Sequence, residues 1–219
     1  MQDNRHNQIV QAGNLRSDRV MKEIREALID RNDTTDCEIP NANAADTQTA
    51  EDLSVAFAQN FTQAGGTMYY CLDENDIRAR IEEIQQRYDN IMIGCASENV
   101  TSFFGHIGIT NCCTCDLSKR YPLGATLCEA LVATNGGIVI SSNLGLGINI
   151  PALPEATVVL AFTSQVVSDW QTANERLKEL YADYPEQIII TSPSSYAYRK
   201  GQQSLYLILI EDETIEYEP

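Results

Sequence analysis

Glu129 stands directly ahead of Ala130-Leu-Val-Ala-Thr-Asn-Gly-Gly-Ile-Val-Ile-Ser-Ser-Asn143. A carboxylate at that place could serve as a general base, a nucleophile or a hydrogen-bond acceptor. It could equally be an edge-strand charge that discourages strand-to-strand aggregation. Asn135-Gly136 lies between two β-prone runs, Ala130 to Ala133 and Ile138 to Ile140. That is a hairpin signal, because a tight primed turn needs positive φ at both central residues. Ser141, Ser142 and Asn143 add two hydroxyls and an amide at the base of the hairpin, and the glycine-spaced Leu144-Gly-Leu-Gly-Ile148 leaves it. The group reads as a candidate ligand cradle, with a purely structural hairpin as the other reading.

Thr191-Ser-Pro-Ser-Ser195 follows an expected strand, and its hydroxyls, Ser194 among them, suit a small anion, with Arg199 and Lys200 close behind. Ligands of open α/β sheets gather at carboxyl ends of strands; a solvated loop is the alternative. The cluster Cys112-Cys113-Thr-Cys115 has no second knuckle and the chain has two histidines, His6 and His106. Structural zinc normally takes four such ligands in paired elements, so no metal site is expected. Within a strand, Cys113 and Cys115 would share one face and Cys112 the other. His106, beside Gly105, could be a base or simply a polar helix end. A serine-hydrolase triad lacks both its elbow motif and a spare histidine. Gly145 and Gly147 give half of a dinucleotide fingerprint, with no third glycine and no helix after it.

The elements that must carry these groups come from a chain of 219 residues, 43% hydrophobic, enough for one core and one domain. A net charge of −16 excludes a phosphate-binding surface of the nucleic-acid type. No apolar run is long enough to span a bilayer or to act as an export signal. The seven cysteines are therefore expected as cytoplasmic thiols.

Residues 1–48 read as a polar start, an amphipathic helix with Val20, Ile24 and Leu28 on one stripe, and a polar linker. Thr49 to Asp52 forms a capping box ahead of a helix carrying Leu53, Phe57 and Phe61. Met68 to Leu72 reads as a strand, Asp73 as the cap of a helix with Ile77, Ile81, Ile84 and Tyr88, and Ile91 to Cys95 as the next strand. Strand, helix, strand at this spacing implies a parallel pair. A short helix from Ser97 broken at Gly105, and a strand over Ile107 to Thr110, follow. After the hairpin come a strand at Ala156 to Phe162 and a long helix capped by Thr163-Ser164, with Val167, Trp170, Leu177, Leu180 and Tyr181 on its buried side. Strands at Gln187 to Thr191 and Leu205 to Ile210 precede an acidic tail. The expectation is a single α/β domain over residues 49–212, a mixed sheet with helices on both faces, and a tail over 213–219.

The stretch Glu129 to Ser142 resembles the LUD-domain family of lactate-utilisation proteins, in its short, divergent branch. The likeness continues through Ala152-Leu-Pro154, Val158-Val-Leu-Ala161, Thr163-Ser-Gln-Val-Val167, Ile188 to Thr191 and Leu205 to Asp212. It implies a fold like ribose-5-phosphate isomerase and the CoA-transferases. It also implies a non-redox subunit in the oxidation of L-lactate to pyruvate, with the iron–sulfur clusters on partner subunits and no cofactor of its own. The expectation is a chain that binds a small organic anion or an iron–sulfur partner subunit. Glu129, Gly136 and Ser194 fit the family pattern. The arginine, serine and histidine of better-studied members find no counterpart in Ile148 to Thr157. The expected site is built from Glu129, Asn135, Gly136, Ser142, Asn143 and Ser194, with backbone amides and hydroxyls holding the anion and Glu129 as acceptor or base. Alternatives are a stand-alone enzyme on a phosphosugar or CoA ester, and a non-catalytic binding module.

Overall fold

The strands divide over two sheets. The computed structural model describes residues 50–116, 119, 121–144, 154–195 and 204–212. The expected N-terminal helix, the Thr49 cap, the glycine loop after Leu144, Arg199, Lys200 and the tail over 213–219 lie outside those residues. Chain order is α1 (Ala50–Gln63), β1 (Thr67–Cys71), α2 (Glu74–Arg87), β2 (Ile93–Cys95), α3 (Glu98–His106), β3 (Cys112–Thr114) and β4 (Leu123–Leu127). There follow β5 (Ala130–Val132), β6 (Gly137–Ser141), β7 (Ala156–Phe162), β8 (Val166–Val167), α4 (Trp170–Leu180), β9 (Ile188–Thr191) and β10 (Ser204–Ile210).

The first sheet has six strands in the order β1-β10-β7-β4-β2-β3, all parallel. The second has four, β8-β5-β6-β9, and is mixed. The α/β expectation holds, but the single mixed sheet resolves into a parallel one and a smaller mixed one. β1 and β2 run parallel in one sheet as the βαβ spacing implies, yet β10, β7 and β4 lie between them. Local spacing fixes direction, whereas adjacency is decided by the more apolar strands that arrive later.

Alternation along the strands assigns each face. In β10, Tyr206, Ile208 and Ile210 join a core with Ile77, Ile81 and Ile84 of α2 and Val100 and Phe104 of α3. Leu205, Leu207 and Leu209 point the other way, to Phe57 and Phe61 of α1 and to Leu131, Ile138 and Ile140 of the second sheet. The far face of that sheet, with Ala130, Val132 and Val139, is covered by Ala173 and Leu177 of α4. The order of layers is thus α2 and α3, parallel sheet, α1 with the mixed sheet, and α4.

Several local expectations change. Gly105 lies inside α3, where nothing crowds it, and the helix runs on to His106. The expected strand at Ile107 to Thr110 is a loop. Gly108 turns the chain at φ 84°, and Ile109 N–H caps back onto Phe104 O at 2.7 Å. β3 forms instead at Cys112, in register with Ile93. Thr163-Ser164 caps no long helix. Thr163 to Gln165 make one 3-10 turn, Val166–Val167 pair with β5 as β8, and Asp169 caps α4. Trp170 and Leu180 are therefore exposed rather than buried, at 38% and 58%.

Asp169 accepts hydrogen bonds from Thr172 N–H at 2.9 Å and from the Ser168 hydroxyl at 3.0 Å. These donors, the Thr172 amide first, hold its carboxyl below the usual aspartate range. A folded value below the unfolded one stabilises the fold above the ordinary aspartate pKa, and that stabilisation disappears as pH falls through the folded value. Asp169→Ala should lower the thermal midpoint at pH 7 by about 3 °C. The gap between variant and wild type should close toward pH 3 in melts followed by circular dichroism.

Candidate functional site

Glu129 follows β4 by two residues, at the carboxyl end of the parallel sheet. The chain moves outward from β2 to β3, then returns through β4 to β7 and β10, so the order of strands reverses there. Such a reversal is where crevices open at the ends of parallel strands. Glu129 N–H donates to Val139 O at 2.8 Å, which fixes the residue at the start of the hairpin. Its side chain lies under the end of α4, and the residue is only 6% exposed.

Two hydroxyls hold that carboxylate. Ser141 Oγ donates to Glu129 Oε1. Tyr181, the residue closing α4, donates to Oε1 at 2.9 Å and also reaches Oε2 at 3.2 Å. Among the described residues no lysine or arginine forms an ion pair with Glu129. Among the described residues hydroxyls alone compensate this buried carboxylate, an unusual thing for a fold to keep, since burying an unpaired charge is costly. Burial, with the hydrogen bond to Glu129 and its charge, pushes Tyr181 up to about 12, so it stays a donor. Burial also pushes the Cys128 thiol up strongly, and the neighbouring carboxylate adds to this. Gln165 braces the turn behind the site: its Nε2 donates to Cys128 O at 2.7 Å, and its Oε1 accepts from Phe162 N–H at 2.8 Å.

The six residues expected to form one site fall into two groups. Ser142 and Asn143 lie beside Glu129 along the chain's exit from β6. The Ser142 polar groups are used by Gln187: its N–H donates to Gln187 O at 3.0 Å and its Oγ accepts from Gln187 N–H at 3.4 Å. Asn143 is exposed, and its N–H donates to Ser141 Oγ at 3.2 Å. Asn135 and Gly136 sit at the opposite end of β6, about 13 Å away for four strand steps. Ser194 belongs to that end too, because Thr191 of β9 is paired with Ile138. Ser194 is exposed and shares a hydrogen bond with the Ser192 hydroxyl at 3.1 Å. β9 also belongs to the mixed sheet, so the strand-end rule for parallel sheets does not reach its loop.

The turn itself is not the tight primed type. Val132 pairs with Gly137, which leaves four residues in the loop, and of Asn135 and Gly136 only Gly136 has positive φ, at 62°. The Asn135 side chain takes over part of the turn by accepting from Gly137 N–H at 2.9 Å. A Cβ on Gly136 would come within 2.6 Å of the Phe61 backbone nitrogen. Beside it, Asn60 Nδ2 donates to Ala133 O at 2.7 Å. The tip of the hairpin is thus docked on α1.

The cysteines behave as strand geometry predicts. Cys113 lies with the Tyr121 hydroxyl, at 3.8 Å, and Cys115 lies over Gly94 on the same side. Cys112 packs on the opposite core. Burial pushes Cys95 up to about 12 and Cys115 to about 11. Metals bind the thiolate, and among the described residues no three His, Cys, Asp or Glu are grouped to hold an ion. His106 is exposed and lies 3.4 Å from Glu74, at the end of α3. No helix among the described residues is long and apolar enough to cross a membrane.

Sequence reasoning missed Tyr181 and Gln165. Tyr181 read as one more apolar position of a helix, and Gln165 was hidden inside the wrong helix start. A signal existed for Ser141 alone: alternation from Val139 places it on the face that α4 covers.

No family model matches the chain, and no curated protein matches it. Among solved structures it is similar to a DUF162 family protein from Deinococcus radiodurans, with a TM-score of 0.60 at 12% identity. The likeness covers 74% of this chain and 99% of that one, and it shows the fold.

Proposed function

We propose that this chain is a LUD-type protein that binds a small hydroxy acid as the non-redox member of a lactate-utilisation system. The observation that carries the reading is the Glu129 carboxylate, held by Ser141 and Tyr181 at the carboxyl end of β4. The fold, shared with a DUF162 family protein, agrees with the fold that the resemblance of the stretch Glu129 to Ser142 implies. Among the described residues no cation pairs with this carboxylate, which repels the negative end of an anion. It favours a ligand that offers a hydrogen-bond donor, as the α-hydroxyl of L-lactate does. Glu129 then accepts that hydroxyl proton, as acceptor or as base. Oxidation to pyruvate, which removes two electrons and the hydrogen on the α-carbon besides the hydroxyl proton, belongs in this reading to an iron–sulfur partner subunit.

Glu129→Gln should weaken L-lactate binding at least tenfold in titration calorimetry, about the loss of one hydrogen bond to a charged group. Wild-type affinity in that variant would remove Glu129 from the site. Anaerobic affinity purification of the tagged chain, with mass spectrometry of what it retains, tests the assembly. Co-purifying iron–sulfur protein is the expected result. A lone chain carrying a phosphosugar or CoA ester would point to a stand-alone enzyme instead.

A further inference from the structure

We infer that Tyr181 is a positioning residue, which turns Oε2 of Glu129 toward the ligand by engaging Oε1. The inference rests on the hydroxy-acid reading and deepens it. Each carboxylate oxygen can accept about two hydrogen bonds. Oε1 receives the Ser141 hydroxyl and the shorter contact from Tyr181, at 2.9 Å. Among the described residues Oε2 has only the longer contact to the same hydroxyl, at 3.2 Å. Tyr181 has one proton to give, so the shorter contact holds it and Oε2 keeps its accepting capacity. The Gln165 amide cannot supply the missing donor, because it is turned to the backbone oxygens of Cys128 and Glu129.

This arrangement selects a ligand chemistry. An oxygen with spare lone pairs in a nearly closed place rewards a hydroxyl and penalises a carbonyl, which brings lone pairs of its own. L-lactate and pyruvate differ at that one position, so their affinity ratio reads the orientation of Oε2 and cancels general effects on the site. Tyr181 is placed for this role by α4. Leu177, one turn earlier, anchors the helix end in the core over Val139, and the tyrosine ring packs on the same cluster.

The test compares L-lactate and pyruvate binding by calorimetry in wild type and in Tyr181→Phe, which keeps the packed ring and removes only the hydroxyl. Wild type is expected to prefer L-lactate about tenfold, the discrimination of one hydrogen bond to a charged acceptor. In Tyr181→Phe the preference should fall below about twofold, because a carboxylate held at Oε1 by Ser141 alone can swing Oε2 out of reach of the ligand's hydroxyl. A merely structural role would weaken both acids together and leave the ratio intact. An unchanged ratio in Tyr181→Phe, with wild type still preferring L-lactate, overturns the positioning role and leaves the hydroxy-acid reading standing. Wild type binding neither acid, or pyruvate better, overturns the reading and the inference with it. Ser141→Ala leaves the Tyr181 contact to Oε1 in place: a ratio kept near wild type there assigns the positioning to Tyr181 even if Tyr181→Phe does not fold, and a ratio below about twofold in the folded variant overturns it.

Discussion

Gly136→Ala should lower stability by about 3 kcal/mol, combining left-handed backbone strain with overpacking. The residue has φ 62°, and its added Cβ would meet the Phe61 backbone nitrogen at 2.6 Å, with Asn60 C and Phe61 Cα at 2.8 Å. All three obstacles are main-chain atoms of α1, so no side-chain rotation relieves them. The hairpin tip must lift from the helix, which also stretches the bond from Asn60 Nδ2 to Ala133 O. A drop in the thermal midpoint of about 10 °C is expected for a chain of this size. A change under about 2 °C would mean that the tip is not seated on α1. L-lactate affinity per folded molecule should stay near wild type, since Glu129 lies at the other end of β6.

Phe61→Ala should cost more, about 3–5 kcal/mol, as a large side chain is removed from a closed core. Phe61 is fully buried and stacks on Phe57 with ring centroids 5.5 Å apart. Its ring also fills the space beside Gly66, where a Cβ would come within 2.3 Å of it. α1, the parallel sheet and the mixed sheet meet in this one cluster, so little of the cavity can collapse. Urea denaturation should show a lower midpoint with an unchanged slope, the mark of lost stability without a change in cooperativity. A smaller slope would show instead that the two sheets come apart separately.

The regular elements were largely legible because each follows from its own residues. Ile77, Ile81 and Ile84 at helical spacing gave α2, and Asp73 caps it through Asp76 N–H at 2.8 Å. The run from Leu205 to Ile210 gave a strand buried on both faces. What sequence could not show was which strands are neighbours, because the insertion of β10 between β1 and β7 depends on residues far apart in the chain. The start of α4 was misplaced for a related reason. Thr163-Ser164 looks like a cap, yet Asp212 accepts from Ser164 N–H and from both hydroxyls, holding that turn from the far end of the chain. Glu129 stood out through its type and place. Its partners did not, since Tyr181 is 52 positions away and sits on an element with no visible link to the hairpin.

The place of β10 has a consequence for how the molecule is made. β1 leaves the ribosome with one long edge bare, and the strand that pairs with it, starting at Ser204, follows Cys71 by 133 positions (204 − 71). At about 5–20 residues per second, that edge waits for several seconds. Among the described residues α1 and α2, adjacent to β1 in sequence, are available to shelter it meanwhile. The charged outer face of α2, where Arg80 and Arg87 both bridge to Glu83, keeps that early fragment from offering a second apolar surface. A nascent chain halted before Ser204 would hold most of its helices and still lack the strand that joins β1 to the rest, so quality control would meet it as two halves without a seam.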